Sequence, residues 1–286
     1  MIPTLRGVLM KSLLTFTLVI LSLNAFGLVL EKLPNGDLSY YPKSFYANKK
    51  AGNVTVEQLF DILSQSHSTV KGDYDQVGRC ISDCYAHKSI GYDQARIVMF
   101  GERDLQEAGN EKFVIDVYCG KKFTFKTASE TSGMGNTVNI EHTWPQSKFA
   151  SNFEKGMQKS DMHHLYLTDS KANSDRGNFE FGVAGNAVNE MHADNCGISK
   201  LVRDDGSYIF EPPTNHRGNV ARSLFYFAVR YNMVISKKQE AALRAWHVAD
   251  PVDAAERTKH DIVARHQNIR NPFVDFPELV NQISDF

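Results

Sequence analysis

A single mixed α+β domain with a helix-rich C-terminal third is the fold the sequence predicts, and three observations predict it. Short β-prone runs bounded by turn residues fill the middle of the chain, at residues 113–118, 121–127, 137–142 and 165–168. Apolar residues at helical spacing dominate the C-terminal third. No repeat, low-complexity block or linker divides the 286 residues, and a 42% hydrophobic composition suffices for one core.

The elements follow in order. Arg6 and Lys11 precede an apolar run over residues 13–23, then Asn24-Ala25-Phe26-Gly27. That is the pattern of a secretory signal peptide, with cleavage after Ala25 or after Gly27, and with Met10 as a second conceivable start. The run is shorter than the roughly 20 apolar residues that span a bilayer, which disfavours an uncleaved anchor. Residues 1–27 are therefore set aside, and residues 28–286 form the expected domain. Residues 28–53 read as irregular, with a turn at Pro34-Asn35-Gly36. Val56, Leu59, Phe60 and Leu63 predict an amphipathic helix over 55–65. After the strand at 165–168, Asp169 is placed to cap a short helix running through Asn173. Val220, Leu224, Phe227 and Tyr231 share a helical face, a second helix covers 238–246, and a third begins at Asp253, where Asp253 and Glu256 fit a capping box.

Charge and cysteines narrow the class. Lys and Arg number 32 against 33 Asp and Glu, so no bulk basic charge marks a nucleic-acid binder, although a local patch would serve a nuclease. Between residues 210 and 270, ten Lys and Arg face six Asp and Glu, among them Arg217, Arg222, Arg230, Arg265 and Arg270. Solvated helix faces are the expectation for these. Cys80, Cys84, Cys119 and Cys196 in an exported chain predict two disulfides, with three pairings open. Zinc-finger spacing is lacking.

The densest polar cluster runs from Asn139 to Asn178. Glu141 and His142 adjoin at a strand end, so their side chains face opposite ways. A carboxylate and an amide oxygen suit Mg²⁺, and an imidazole takes a proton from water near neutral pH. Phosphodiester hydrolysis needs those parts.

Six ordered blocks carry a resemblance. They are Asn139-x-Glu141-His142-x-Trp144-Pro145-x-Ser147; Asp161-x-His163-His164-Leu165-x-x-Thr168-Asp169; Ala172-Asn173-Ser174-x-Arg176-Gly177-Asn178; Arg217-Gly218-x-Val220-Ala221-Arg222-x-Leu224-Phe225-Tyr226; Trp246-His247-x-x-Asp250-Pro251-Val252-Asp253; and Gln267-Asn268-x-Arg270-Asn271-Pro272-Phe273. Together they resemble bacterial endonuclease I, the periplasmic or secreted non-specific nucleases of the ββα-metal (His-Me finger) group. The resemblance implies a domain built around a ββα finger. His142 would be the general base, and Glu141 and Asn173 would bind Mg²⁺, with Mn²⁺ or Ca²⁺ as substitutes. The substrate would be DNA, and RNA as well, cut without sequence specificity to 5′-phosphate ends by a monomer free of the membrane. The alternatives are a ribonuclease of the same superfamily and an inactive nucleic-acid-binding protein. Some relatives hold the scissile phosphate with an Arg in the loop between the finger strands; here no Arg lies between His142 and Arg176, an interval whose basic residues besides histidine are Lys148, Lys155, Lys159 and Lys171. Arg176 and Lys159 are the substitutes considered, with Asp175 as a competing partner for Arg176. His163, His164, His247 and Asp253 are expected to be structural, and Trp144 and Tyr166 to pack in the core rather than stack on bases.

Overall fold

Hydrophobic burial puts one helix at the centre. The computed structural model describes residue 28 and residues 30–286, apart from 81, 83, 128–129 and 131–136. Residues 1–27, expected to be a signal peptide, lie outside the described residues. In chain order the N-terminal part comprises α1 (Lys43–Ala51), α2 (Val56–Ser64), β1 (His67–Ser68), β2 (Gln76–Val77), β3 (Cys84–Tyr85) and α3 (Tyr92–Val98). The middle holds β4 (Gln106–Ala108), β5 (Glu111–Ile115), β6 (Lys122–Phe125), β7 (Val138–His142), α4 (Lys155–Ser160), β8 (Leu165–Asp169), α5 (Ser170–Arg176), β9 (Glu180–Phe181), β10 (Lys200–Asp204) and β11 (Ser207–Glu211). The C-terminal third is α6 (Arg217–Arg230), α7 (Lys237–Ala249), α8 (Ala254–Gln267) and α9 (Pro272–Asp275). This is the mixed α+β architecture expected, helix-rich towards the C-terminus. Among the described residues no helix is long and apolar enough to cross a membrane.

The sheets are small. β4, β5 and β6 form an antiparallel meander, and β7 pairs antiparallel with β8 from Val138↔Asp169 to His142↔Leu165. Helix α6 is buried nearly all round and lies in the main core with Tyr118, Trp144, Phe210 and Trp246. A second core packs Val138 and Ile140 of β7 and Leu165 and Leu167 of β8 against Val114, Phe125, Phe100 and Ile262. The β7–β8 ribbon is thus held from one face by the second core.

Four local expectations are corrected. Residues 28–53 are not irregular throughout: α1 occupies 43–51 between Pro42 and Gly52, and it was hidden because only Phe45 of it is buried. The strand expected at 113–118 stops at Ile115, because the Asp116 carboxylate accepts from the backbone N–H groups of Tyr118, Cys119 and Lys121 and bends the chain. The capping box at α8 is half-built. Asp253 Oδ1 accepts from Glu256 N at 2.7 Å, but the Glu256 carboxylate turns to the Arg222 guanidinium at 2.6–2.7 Å. Arg222, Arg230 and Arg270 are buried rather than solvated, the last held by Asp275 and Asp261. The β10–β11 hairpin was not anticipated. Its turn, Asp205-Gly206, has both residues at positive φ (46° and 81°), the hairpin geometry that such a dipeptide favours.

Both disulfides form, Cys80–Cys84 and Cys119–Cys196. The second closes a 77-residue separation, which in the chain-entropy view is worth about 4.5 kcal/mol. It also fixes the turn that carries Tyr118.

Candidate active site

The finger begins at β7. Alternation sends Ile140 and His142 to one face and Glu141 to the other. Thr143 ends the strand, its N–H and hydroxyl both donating to His164 O at 3.1 Å. β8 ends at Asp169, whose Oδ1 accepts from Lys171 N and Ala172 N and so starts α5, as expected. Its other oxygen pairs with Lys121 Nζ at 2.9 Å. Gly177, at φ 56°, stops α5 in a conformation that side chains avoid. Helix α5 therefore leaves the ribbon at a fixed point and packs back on β7 and β8.

His142 is nearly inaccessible, at 5% exposure. Its ring lies parallel to Tyr92 at 5.7 Å and edge-on to Phe149 and His164. Nε2 sits 3.1 Å from Lys159 O. That carbonyl belongs to the last turn of α4, where helix carbonyls lack intrahelical partners. A carbonyl only accepts, so Nε2 carries the hydrogen and Nδ1 keeps its lone pair. Burial, with the charges of Lys159 and Arg176 against the help of the carbonyl, pushes the imidazole down to about 4. His142 is thus a neutral proton acceptor at ordinary pH. Among the described residues the one side chain hydrogen-bonded to Nδ1 is the exposed Gln146, its amide nitrogen 3.4 Å away.

Glu141 is 2% exposed and held in a cage. Oε1 accepts from the Tyr118 hydroxyl at 2.8 Å, and Arg176 Nε lies 3.2 Å away. That second contact is an attraction between charges without hydrogen-bond geometry, since Arg176 Nε has no hydrogen-bond partner. Burial raises the Glu141 carboxyl above its usual range, against the pull of Arg176 and Tyr118.

The remaining expected residues divide. Asn173 is half-buried on α5, and among the described residues its carboxamide makes no hydrogen bond. Arg176 is 1% exposed; its guanidinium donates to Thr143 O at 2.7 Å and Gly177 O at 3.1 Å and lies over the Phe181 ring. This buried placement leaves no free face for the phosphate contact expected of it. Asp175 is not its partner either: the Asp175 carboxylate accepts from the backbone of His192 and Ala193. Lys159 is half-buried, its ammonium over the Tyr92 ring at 4.4 Å, with no carboxylate partner among the described residues. Lys148, Lys155 and Lys171 are exposed.

The expected structural residues are structural. His163 Nε2 contacts Ile269 O, His164 Nε2 contacts Gln158 O and His247 Nε2 contacts Pro277 O, each at 2.8–3.0 Å. Trp144 stacks on Phe227 and donates to Lys148 O. The Tyr166 hydroxyl bonds Ser223. Tyr118, Tyr92 and Gln146 were missed. The first two come from distant segments and carried no signal; Gln146 lies inside the first block at a position the pattern leaves open.

Glu141 and Asn173 offer oxygens only, the donor type that suits a hard cation, and the Asn173 amide makes no hydrogen bond among the described residues. Among the described residues no group of three or more His, Cys, Asp or Glu side chains is placed to hold a metal.

The endonuclease I family profile matches residues 75–278. The extracellular ribonuclease of Bacillus subtilis (strain 168) is 32% identical over 185 residues, which cover 56% of this chain and 59% of that protein, so under two thirds of its length is matched. The extracellular ribonuclease of Bacillus amyloliquefaciens is 30% identical over 221 residues, 69% of each chain. Endonuclease-1 of Buchnera aphidicola subsp. Acyrthosiphon pisum (strain APS) is 31% identical over 116 residues, 41% of this chain and 44% of that one. The chain belongs to the endonuclease I family.

Proposed function

We propose that the protein is an exported, Mg²⁺-dependent, sequence-non-specific endonuclease that hydrolyses phosphodiesters of DNA, and of RNA, to 5′-phosphate and 3′-hydroxyl ends. The observation that carries this reading is the imidazole of His142. Its tautomer is set by Lys159 O, its lone pair on Nδ1 lies beside an exposed side chain, and a buried carboxylate is the next residue back. Residues 1–27 act as the signal peptide, and the two disulfides suit an oxidising compartment.

Water is the nucleophile. Its oxygen bonds to phosphorus, one proton passes to His142 Nδ1, and the P–O3′ bond breaks with its electron pair on O3′, which takes a proton from solvent. Because no 2′-hydroxyl takes part, DNA and RNA both qualify. Glu141 and Asn173 would hold the metal, with Mn²⁺ or Ca²⁺ as poorer substitutes. A bound Mg²⁺ supplies positive charge for the phosphate and the leaving oxygen. Arg176 pulls the buried Glu141 carboxyl towards its ionised form and orients it. Lys159, free of any carboxylate among the described residues and lying over the Tyr92 ring that stacks on His142, is the cation assigned to meet the phosphate. The relatives named ribonuclease support RNA as a substrate, and those named Endonuclease-1 support an endonuclease.

The test incubates the purified protein with supercoiled plasmid and with structured RNA, with Mg²⁺ and with EDTA. Cleavage of both in Mg²⁺ alone is expected. Cleavage of RNA only would favour a ribonuclease, and binding without cleavage would refute the enzyme.

A further inference from the structure

We propose that Gln146 orients the attacking water, handing one of its protons to His142. The inference rests on the reading of His142 as general base.

The geometry starts with the short turn after β7. Pro145 leads into a 3₁₀ turn over Gln146–Lys148, closed by Lys148 N donating to Pro145 O at 2.8 Å. Trp144, stacked on Phe227 at 5.2 Å and bonded to Lys148 O, pins that turn to the core. The backbone at Gln146 is therefore fixed while its side chain is exposed. That side chain lies 3.4 Å from Nδ1, the nitrogen of His142 that Lys159 O does not hold, and among the described residues no other side chain is hydrogen-bonded to it. The distance is long for a hydrogen bond, so the amide is exchangeable rather than locked. The other flanks of the ring are closed by Tyr92, Phe149 and His164. The exposed Gln146 carboxamide is thus the polar group that a water at Nδ1 would meet.

A carboxamide is suited to the exchange. It carries two donors on nitrogen and an acceptor on oxygen, and a half-turn about its last bond swaps them. With nitrogen towards His142, Gln146 occupies the place of the water. With oxygen turned in, Oε1 accepts one proton of the water while Nδ1 accepts the other, which aims a lone pair of the water oxygen away from both. During attack that oxygen bonds to phosphorus, the proton on Nδ1 is transferred, and the second proton stays on the oxygen against Oε1. The P–O3′ bond breaks with its electron pair on O3′, which solvent protonates. A glutamine that orients water for attack on phosphorus is known chemistry in phosphoryl transfer.

The test compares wild type, Gln146→Met, Gln146→Ala and His142→Ala on supercoiled plasmid in Mg²⁺, reading kcat and KM separately. Methionine keeps the length and removes the hydrogen bonds. Both Gln146 variants should lose about 10- to 100-fold in kcat, the scale of a misplaced reactant, with KM within about twofold and an unchanged melting temperature, since the side chain is exposed. In metal-free protein, the ring ¹⁵N resonance of His142 Nδ1 should move in Gln146→Met towards the value of an unbonded nitrogen. Wild-type kcat in Gln146→Met beside a dead His142→Ala would overturn the role of Gln146 alone. An unmoved ¹⁵N resonance would likewise overturn it. Full cleavage by His142→Ala would overturn the general base, and the inference with it.

Discussion

His142 and His164 lie 5.4 Å apart, ring to ring, and are anchored by the same device. Each points Nε2 at a carbonyl in the last turn of α4, Lys159 O for His142 and Gln158 O for His164. Each is kept neutral by burial. The difference is at the second nitrogen. His164 Nδ1 is sealed in the core with no partner, whereas His142 Nδ1 meets an exposed amide. One helix end thus holds two neutral imidazoles in the same way, and what meets the second nitrogen separates the one proposed as general base from the one that packs.

Substitution at the two positions should break the pair apart. His142→Ala should lower the cleavage rate about 10²- to 10⁴-fold, the usual worth of a positioned general base, with plasmid binding and thermal unfolding near wild type. Arg176→Met should have the next largest effect, on stability. It leaves Glu141 buried with only Tyr118, and urea unfolding should show a loss of about 3–5 kcal/mol. His164→Ala should show the inverse of His142→Ala. A loss of about 1–3 kcal/mol in unfolding free energy is expected from the emptied core position, with cleavage per folded molecule within about tenfold of wild type. Equal kinetic damage at both positions would erase the distinction.

The smallest effect is the pH dependence of stability. Burial pushes His87 and His216 down to about 3, and His163 and His164 well below the usual 6.5. An imidazole with a depressed folded pKa gives stability that is fully present above about pH 6.5 and is lost as pH falls through its folded value. Glu141 and Asp161 are raised by burial and work the other way, but they are outnumbered. Melting temperature should therefore fall steadily from pH 7 to pH 4, and a flat profile would contradict these assignments.

The sequence revealed the finger more fully than its surroundings. The strand, the capping Asp169 and the helix of Asn173 are local features, written in residues that touch one another along the chain. The cage around Glu141 is not local. Tyr118 reaches it from beside a disulfide whose other half is Cys196, and neither periodicity nor spacing announces that approach. The same reason explains Arg222, which looks like a surface charge until Glu256, 34 residues away, is brought to it. Helix α1 escaped because it buries a single apolar residue. The β10–β11 hairpin did carry a local signal, Asp205-Gly206, between two runs with apolar residues.

The most direct test of the account is a metal titration of plasmid cleavage for wild type, Asn173→Ala and His142→Ala after EDTA treatment. Mg²⁺ should restore the wild type, Mn²⁺ or Ca²⁺ should do so in part, and Zn²⁺, which prefers nitrogen, should not. Asn173→Ala should need more Mg²⁺ and recover part of its rate as the concentration rises. His142→Ala should stay inactive at every concentration. Recovery with Zn²⁺ alone, an unchanged Mg²⁺ curve for Asn173→Ala, or rescue of His142→Ala by metal would contradict the assignment of base and ligands to these residues.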